Sequence, residues 1–182
     1  MDIKKIAELA MNGDSKFQCI LGIMYYDGKR VLQNYKQAFK WHTKAAREGD
    51  LVSQYVLGVM HYNGKGTPAN YQEAFEWTKK AADQNLADAQ YNLSIMYSIG
   101  HGTPQNYQEA VKWAKKAADQ DHADAQYNLG LFHCRGQGTP VNIEEAMYWC
   151  ARAAKNDHPK AKEALLKYAK HVKKKSSINN HN

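Results

Sequence analysis

Long apolar runs are missing from this 182-residue chain. No stretch of about 18 consecutive apolar residues exists, so no membrane insertion is expected. The opening Met1-Asp2-Ile3-Lys4-Lys5 has neither the apolar core nor the small-residue cleavage site of a signal peptide. The expected compartment is the cytoplasm, with the periplasm or the exterior as the alternative if a signal peptide has been removed. Cysteine is scarce: Cys19, Cys134 and Cys150 make an odd set without Cys-x-x-Cys or other ligand spacing, as reduced free thiols would. Net basic charge is scarce along most of the chain. Eight lysines from Lys155 onward against Asp157 and Glu163 give +6, so the preceding 154 residues hold only +1 of the net +7. An array that binds nucleic acid would carry a basic stripe throughout, so no specific nucleic-acid partner is expected. No histidine–carboxylate–nucleophile set, paired carboxylates or metal-binding helix motif stands out, and no catalytic residue, metal or cofactor is expected.

What the chain has is a period. Trp41, Trp77, Trp113 and Trp149 are all its tryptophans and stand 36 residues apart. Gly28, Gly64, Gly100 and Gly136 keep the same spacing, as do Ala45-Ala46, Ala81-Ala82, Ala117-Ala118 and Ala153-Ala154. A period of this size marks a solenoid, whose units bury their apolar faces by stacking on neighbours. Within a unit, a first helix carries Ala89, Leu93 and Tyr97 one turn apart on a buried stripe. It ends at Gly64-Lys65-Gly66-Thr67-Pro68 and its counterparts, where glycine permits positive φ and proline forbids continuation. The Gly-x-Gly pairs do not form a phosphate-binding loop, because no Gly-Lys-Ser/Thr follows them to open a helix.

A second helix then opens at Asn34, Asn70, Asn106 and Asn142, with Gln37, Glu73, Glu109 and Glu145 three residues on, the pattern of an N-cap with a capping-box partner. Lys44, Lys80, Lys116 and Arg152 suit the negative end of its dipole. Gly49, Asn85, Asp121 and Asp157 follow, residue types that tolerate a left-handed backbone. In this register the chain divides into a half-repeat at 2–14, repeats at 15–50, 51–86, 87–122 and 123–157, a capping helix at 158–171, and a disordered basic tail at 172–182. His61 and His133 stand where Tyr25 and Tyr97 do and read as packing aromatics; His101 is a turn residue with no evident partner. In the first repeat Arg30 replaces the second turn glycine, so a different local path is expected there.

The order Ala125, Leu129-Gly130, Gly136, Gly138, Ala146, Trp149 and Ala153-Ala154 resembles the Sel-one-like repeat (SLR), a relative of the tetratricopeptide repeat, over residues 2–170. Asparagine at the second helix's cap departs from the family's usual aspartate. The resemblance implies an all-α right-handed superhelical solenoid of antiparallel helix pairs, acting as a monomeric, non-catalytic scaffold for a protein or peptide, with bacterial signalling or host interaction as the setting. Its cysteine-rich branch implies an alternative, lactam binding or hydrolysis, although the paired cysteines of that branch are missing here. Transferring the tetratricopeptide register, the ligand-facing positions are Tyr26, Tyr55, Tyr62, Asn63, Tyr91, Asn92, Tyr127, Asn128 and Arg135. Tyrosine gives contact area at little entropic cost, and asparagine can bond an extended backbone. Packing between neighbouring repeats is the other use for Tyr55, Tyr91 and Tyr127.

Overall fold

The computed structural model describes the backbone of residues 2–179 and the side chains of residues 2–170. Among them the secondary structure is ten helices: α1 (Ile3–Met11), α2 (Ser15–Asp27), α3 (Tyr35–Arg47), α4 (Leu51–Asn63), α5 (Tyr71–Asp83), α6 (Ala87–Ile99), α7 (Tyr107–Asp119), α8 (Ala123–Arg135), α9 (Ile143–Lys155) and α10 (Ala161–Asn179). Even-numbered helices α2 to α8 are the first helix of each repeat, here called A; α3 to α9 are the second, B. The last helix starts three residues later than expected and runs to Asn179, past the expected end at His171. Residues 180–182 of the expected disordered tail lie outside the described residues.

Two compact units divide the chain: Met1–Ala89 with His101–Thr103, and Gln90–Gly100 with Pro104–Asn182. In the first, α1 packs on α2, the pairs α2–α3 and α4–α5 pack closely, α3 meets α4, and α2 touches α4 directly. In the second, α7 packs on α8, α8 on α9, and α9 on α10. Each unit is filled by the same rows. Ala38, Ala74, Ala110 and Ala146 are fully buried, as are Ala45, Ala81, Ala117 and Ala153, and Leu21, Leu57, Leu93 and Leu129 are nearly so. Alanine in helix B lets the helices approach closely, and the leucine of helix A fills the space between them.

The termini form as the sequence predicts, with one difference. Asn34, Asn70, Asn106 and Asn142 each accept from the backbone N–H three residues on, at 3.0–3.1 Å. The reciprocal half of the capping box is not what satisfies the cap's own N–H. That group donates to the carbonyl of Tyr25, His61, Tyr97 or His133 in the preceding helix A, at 2.8–2.9 Å. The bond closes the turn through backbone atoms alone, so either aromatic serves at that position. Asn85, Asp121 and Asp157 take positive φ at helix B ends, as Gly13 and Gly49 do.

The turns also explain Arg30. It keeps the left-handed conformation of its counterparts, φ 68° against 76°, 72° and 72° at Gly66, Gly102 and Gly138, so the first turn does not take the different path expected of it. What the later glycines answer is proximity. A Cβ on Gly66, Gly102 or Gly138 would collide with the carbonyl of Tyr35, Tyr71 or Tyr107, the first helical residue of the preceding helix B. The helix α1 matches only the second half of such a helix and offers no counterpart of that carbonyl. A side chain at Arg30 therefore carries only the modest penalty of its φ.

Candidate binding clefts

Two open clefts lie along the A helices, one in each unit. In the first unit a recess of about 450 Å³ is bounded by Ile23, Tyr26 and Asp27 of α2 and by Val52, Tyr55, Val56 and Val59 of α4, with His42, Leu86 and Asp88 completing it. In the second a recess of about 370 Å³ is bounded by Tyr127, Leu131, Cys134 and Arg135 of α8 and by Lys160, Glu163, Ala164, Lys167 and Tyr168. Three repeat lengths separate the two sets: each of the seven α2 and α4 positions has its counterpart in the second. Ile23 corresponds to Leu131, Tyr26 to Cys134, Asp27 to Arg135, Val52 to Lys160, Tyr55 to Glu163, Val56 to Ala164 and Val59 to Lys167. One backbone recess thus recurs with different linings.

The residues predicted to face a ligand divide accordingly. Tyr26 and Tyr55 share the first cleft, and Tyr127 and Arg135 the second. Tyr26 also has an internal duty: its hydroxyl accepts from Lys65 Nζ at 3.0 Å, and the ammonium lies 5.0 and 5.1 Å from the rings of Tyr26 and Tyr35. That hydrogen bond holds the Lys65 ammonium above the usual lysine range. One repeat later the same place is taken by His101. Its ring stacks on Tyr71 at 4.3 Å between centroids and its Nδ1 is 3.0 Å from the Tyr62 hydroxyl, so His101 does have partners and Tyr62 is committed to the turn. Asn63 is exposed and donates to the Val59 carbonyl of its own helix at 2.9 Å.

In the second unit Tyr91 stacks on His122 at 4.7 Å and Tyr127 on His158 at 4.2 Å. Burial, then the Asp124 carboxylate, raises the Tyr91 hydroxyl above the usual tyrosine range, against a hydrogen bond to Asn128. Asn92 is half-buried. Both tyrosines therefore join successive repeats, each through the residue at the start of the next helix A. The partners follow the period: Leu86, His122 and His158 stand 31 residues after Tyr55, Tyr91 and Tyr127. That offset was available in the sequence. His61 packs edge-on against Phe39 at 5.2 Å, the aromatic role expected of it.

Sequence reasoning missed two further features. Gln54, Gln90 and Gln126 form buried joints: Gln54 and Gln126 donate to the Ala46 and Ala118 carbonyls, and the three Oε1 atoms accept from Gln84, Gln120 and Asn156 at 2.7–3.0 Å. Gln18 donates to the Ala10 carbonyl at 3.1 Å, but its buried Oε1 has no partner. The residue in register is Glu48, which as a carboxylate can only accept. The basic residues of helix B also do more than suit its dipole. Lys44, Lys80, Lys116 and Arg152 sit over the rings of Trp41, Trp77, Trp113 and Trp149 at 4.8, 4.0, 3.9 and 5.1 Å.

The fold also gathers one set of reactive residue types. His42 Nδ1 lies 3.0 Å from Ser53 Oγ, and Cys19 lies beside Ser53 and Asp50. Burial pushes the Cys19 thiol up to about 11 and the His42 imidazole down to about 4. Both are held neutral, the opposite of an activated thiolate–imidazolium pair, and His42 and Ser53 are fully buried. The set is core. Among the described residues no group of three or more His, Cys, Asp or Glu could hold a metal ion, and no helix is long and apolar enough to cross a membrane. The three cysteines are unbridged.

Helix pairs repeated at 36 residues, joined by turns that close through backbone hydrogen bonds, define an all-α helical-repeat solenoid. The Sel1 repeat family model matches residues 15–50, 51–86, 87–122 and 123–158, and the chain belongs to the Sel1 repeat family. Proteins built from these repeats generally mediate protein–protein interaction. A protective antigen of uropathogenic Escherichia coli with an SLR fold superposes at a TM-score of 0.86 with 33% identity, over 88% of this chain; the chain spans only 34% of that protein. A Sel1 repeat protein from Oxalobacter formigenes gives 0.80 at 28% identity, covering 90% of this chain and 74% of its own. Helicobacter pylori cysteine rich protein B, at 0.59 and 20% identity over 73% of this chain and 96% of its own, shares the fold. No curated protein matches the chain.

Proposed function

We propose that this chain is a non-catalytic scaffold that receives a segment of a partner protein along its A helices. The observation that carries the reading is the recurrence of one recess with changed linings. The alanine and leucine rows that fill each unit recur unchanged. The cleft positions instead range from Val52 to Lys160 and from Tyr55 to Glu163. Tyr127, stacked on His158, and Tyr55 each form a wall of a cleft, so they are the proposed anchors, with Tyr26 and Arg135 beside them; Tyr62 serves the turn and Asn63 bonds within its own helix.

The test is affinity capture from a lysate of the source organism with immobilised wild type and with Tyr55→Ala and Tyr127→Ala. Truncating an interface anchor typically costs about 2 kcal/mol or more. Proteins retained by wild type should fall at least tenfold on one variant while far-UV circular dichroism is unchanged. Equal retention on both folded variants would refute the assignment of these clefts.

A further inference from the structure

The first unit's cleft differs from its counterpart in a way that specifies an occupant. Positions that hold Arg135, Lys160 and Lys167 in the second unit hold Asp27, Val52 and Val59 in the first. Asp88, itself in register with Lys160, adds a second carboxylate to a recess whose described lining includes no lysine or arginine. Lys29 pairs with Asp27 at 3.0 Å, but its side chain is 78% exposed, a water-screened pairing that a ligand can replace at little cost. Ile23 and Val52, on facing walls of the recess, remain 39% and 43% exposed. Single exposed aliphatics are ordinary; a facing pair across one cleft forms a docking patch.

Resting on the scaffold reading above, we infer that the first unit's cleft takes a bulky aliphatic side chain of a partner segment, with a neighbouring lysine or arginine set against Asp27 and Asp88. A recess of about 450 Å³ holds such a side chain with adjoining backbone. Its walls supply binding through lost apolar hydration. The two carboxylates fix the orientation of the segment and repel acidic sequences. The second unit's cleft, with three cations against Glu163, is unsuited to that segment.

A random dodecapeptide library displayed on phage is panned against the full chain, and enriched peptides are titrated on wild type, Val52→Arg and Arg135→Glu/Lys160→Glu. The expected peptides carry leucine, isoleucine or methionine beside lysine or arginine, lose at least tenfold in affinity on Val52→Arg, and bind Arg135→Glu/Lys160→Glu unchanged. All three substitutions are at exposed positions, and circular dichroism verifies folding. Panning on Asp27→Lys/Asp88→Lys should shift the selection to acidic flanks. Enriched peptides that are acidic, or that bind Val52→Arg as tightly as wild type, would overturn the inference. If their binding falls only on Arg135→Glu/Lys160→Glu, this inference fails and the scaffold reading stands. Absence of enrichment, or indifference to substitutions at both clefts, sinks the two together.

Discussion

Introducing serine at Gly130 should destabilise the protein, and removing the sulfur opposite should undo most of the damage. A Cβ at Gly130 would stand 2.7 Å from Cys150 Sγ and 3.0 Å from the Ala146 carbonyl, where α8 packs on α9. Corresponding glycines face His42 at Gly22 and Thr78 at Gly58. The third repeat solves the same contact differently: Ser94 takes the glycine's place, Ala114 stands opposite, and Ser94 Oγ donates to the Ala110 carbonyl at 2.7 Å. Overpacking of this kind costs about 1–3 kcal/mol, so Gly130→Ser should lower the melting temperature by roughly 3–10 °C at this chain length. Cys150→Ala alone, which leaves a small cavity at a fully buried site, should cost about 1–2 kcal/mol. The double variant recreates the third repeat's pairing and gains a hydrogen bond worth about 1 kcal/mol. Urea titrations of all four proteins, followed by far-UV circular dichroism, give the coupling energy, expected to favour the double variant by at least 1 kcal/mol over additivity. Additive losses would refute the claim that glycine here answers the size of its neighbour.

Glu48→Gln should stabilise the fold by about 1 kcal/mol, because a donor would reach the orphaned Gln18 Oε1 as Gln84 reaches Gln54; an unchanged or lower melting temperature would count against the joint. His42 sets an acid limit: the unfolded chain binds its proton near pH 6.5, whereas the buried ring resists protonation down to about 4. Stability is therefore complete above pH 6.5 and lost as pH falls towards 4, by up to about 3 kcal/mol. His42→Thr, copying the second repeat's Thr78, should flatten that part of the stability profile; identical pH dependence in both proteins would exclude His42 as the cause.

How much of this was legible in the sequence depended on distance along the chain. The asparagine caps and the left-handed residues at Asn85, Asp121 and Asp157 were readable because each is a local demand of the backbone on one residue type. Joints reaching about 30 residues were hidden. No local signal ties Gln54 to Gln84, which meets it from 30 residues away. His101 lacked a partner because Tyr62 stands 39 residues away. The candidate site was half readable: the period put Tyr55 and Tyr127 in equivalent places, but no signal in the sequence singled out Ile23, Val52 and Val56. Only the gap between α2 and α4 turns these aliphatics into cleft walls.

The collision that glycine avoids at Gly66, Gly102 and Gly138 makes the repeats unequal as building blocks. A gene that lengthens by internal duplication can copy the second, third or fourth unit behind any other, because each brings its own clearance for the carbonyl it will meet. The first cannot be so copied. Placed in the interior, its Arg30 would drive a side chain into the preceding helix, and the new joint would open until that arginine mutated to glycine. A unit bearing arginine at this place therefore stacks only on a helix that offers no carbonyl there, whereas its glycine-bearing counterparts are interchangeable.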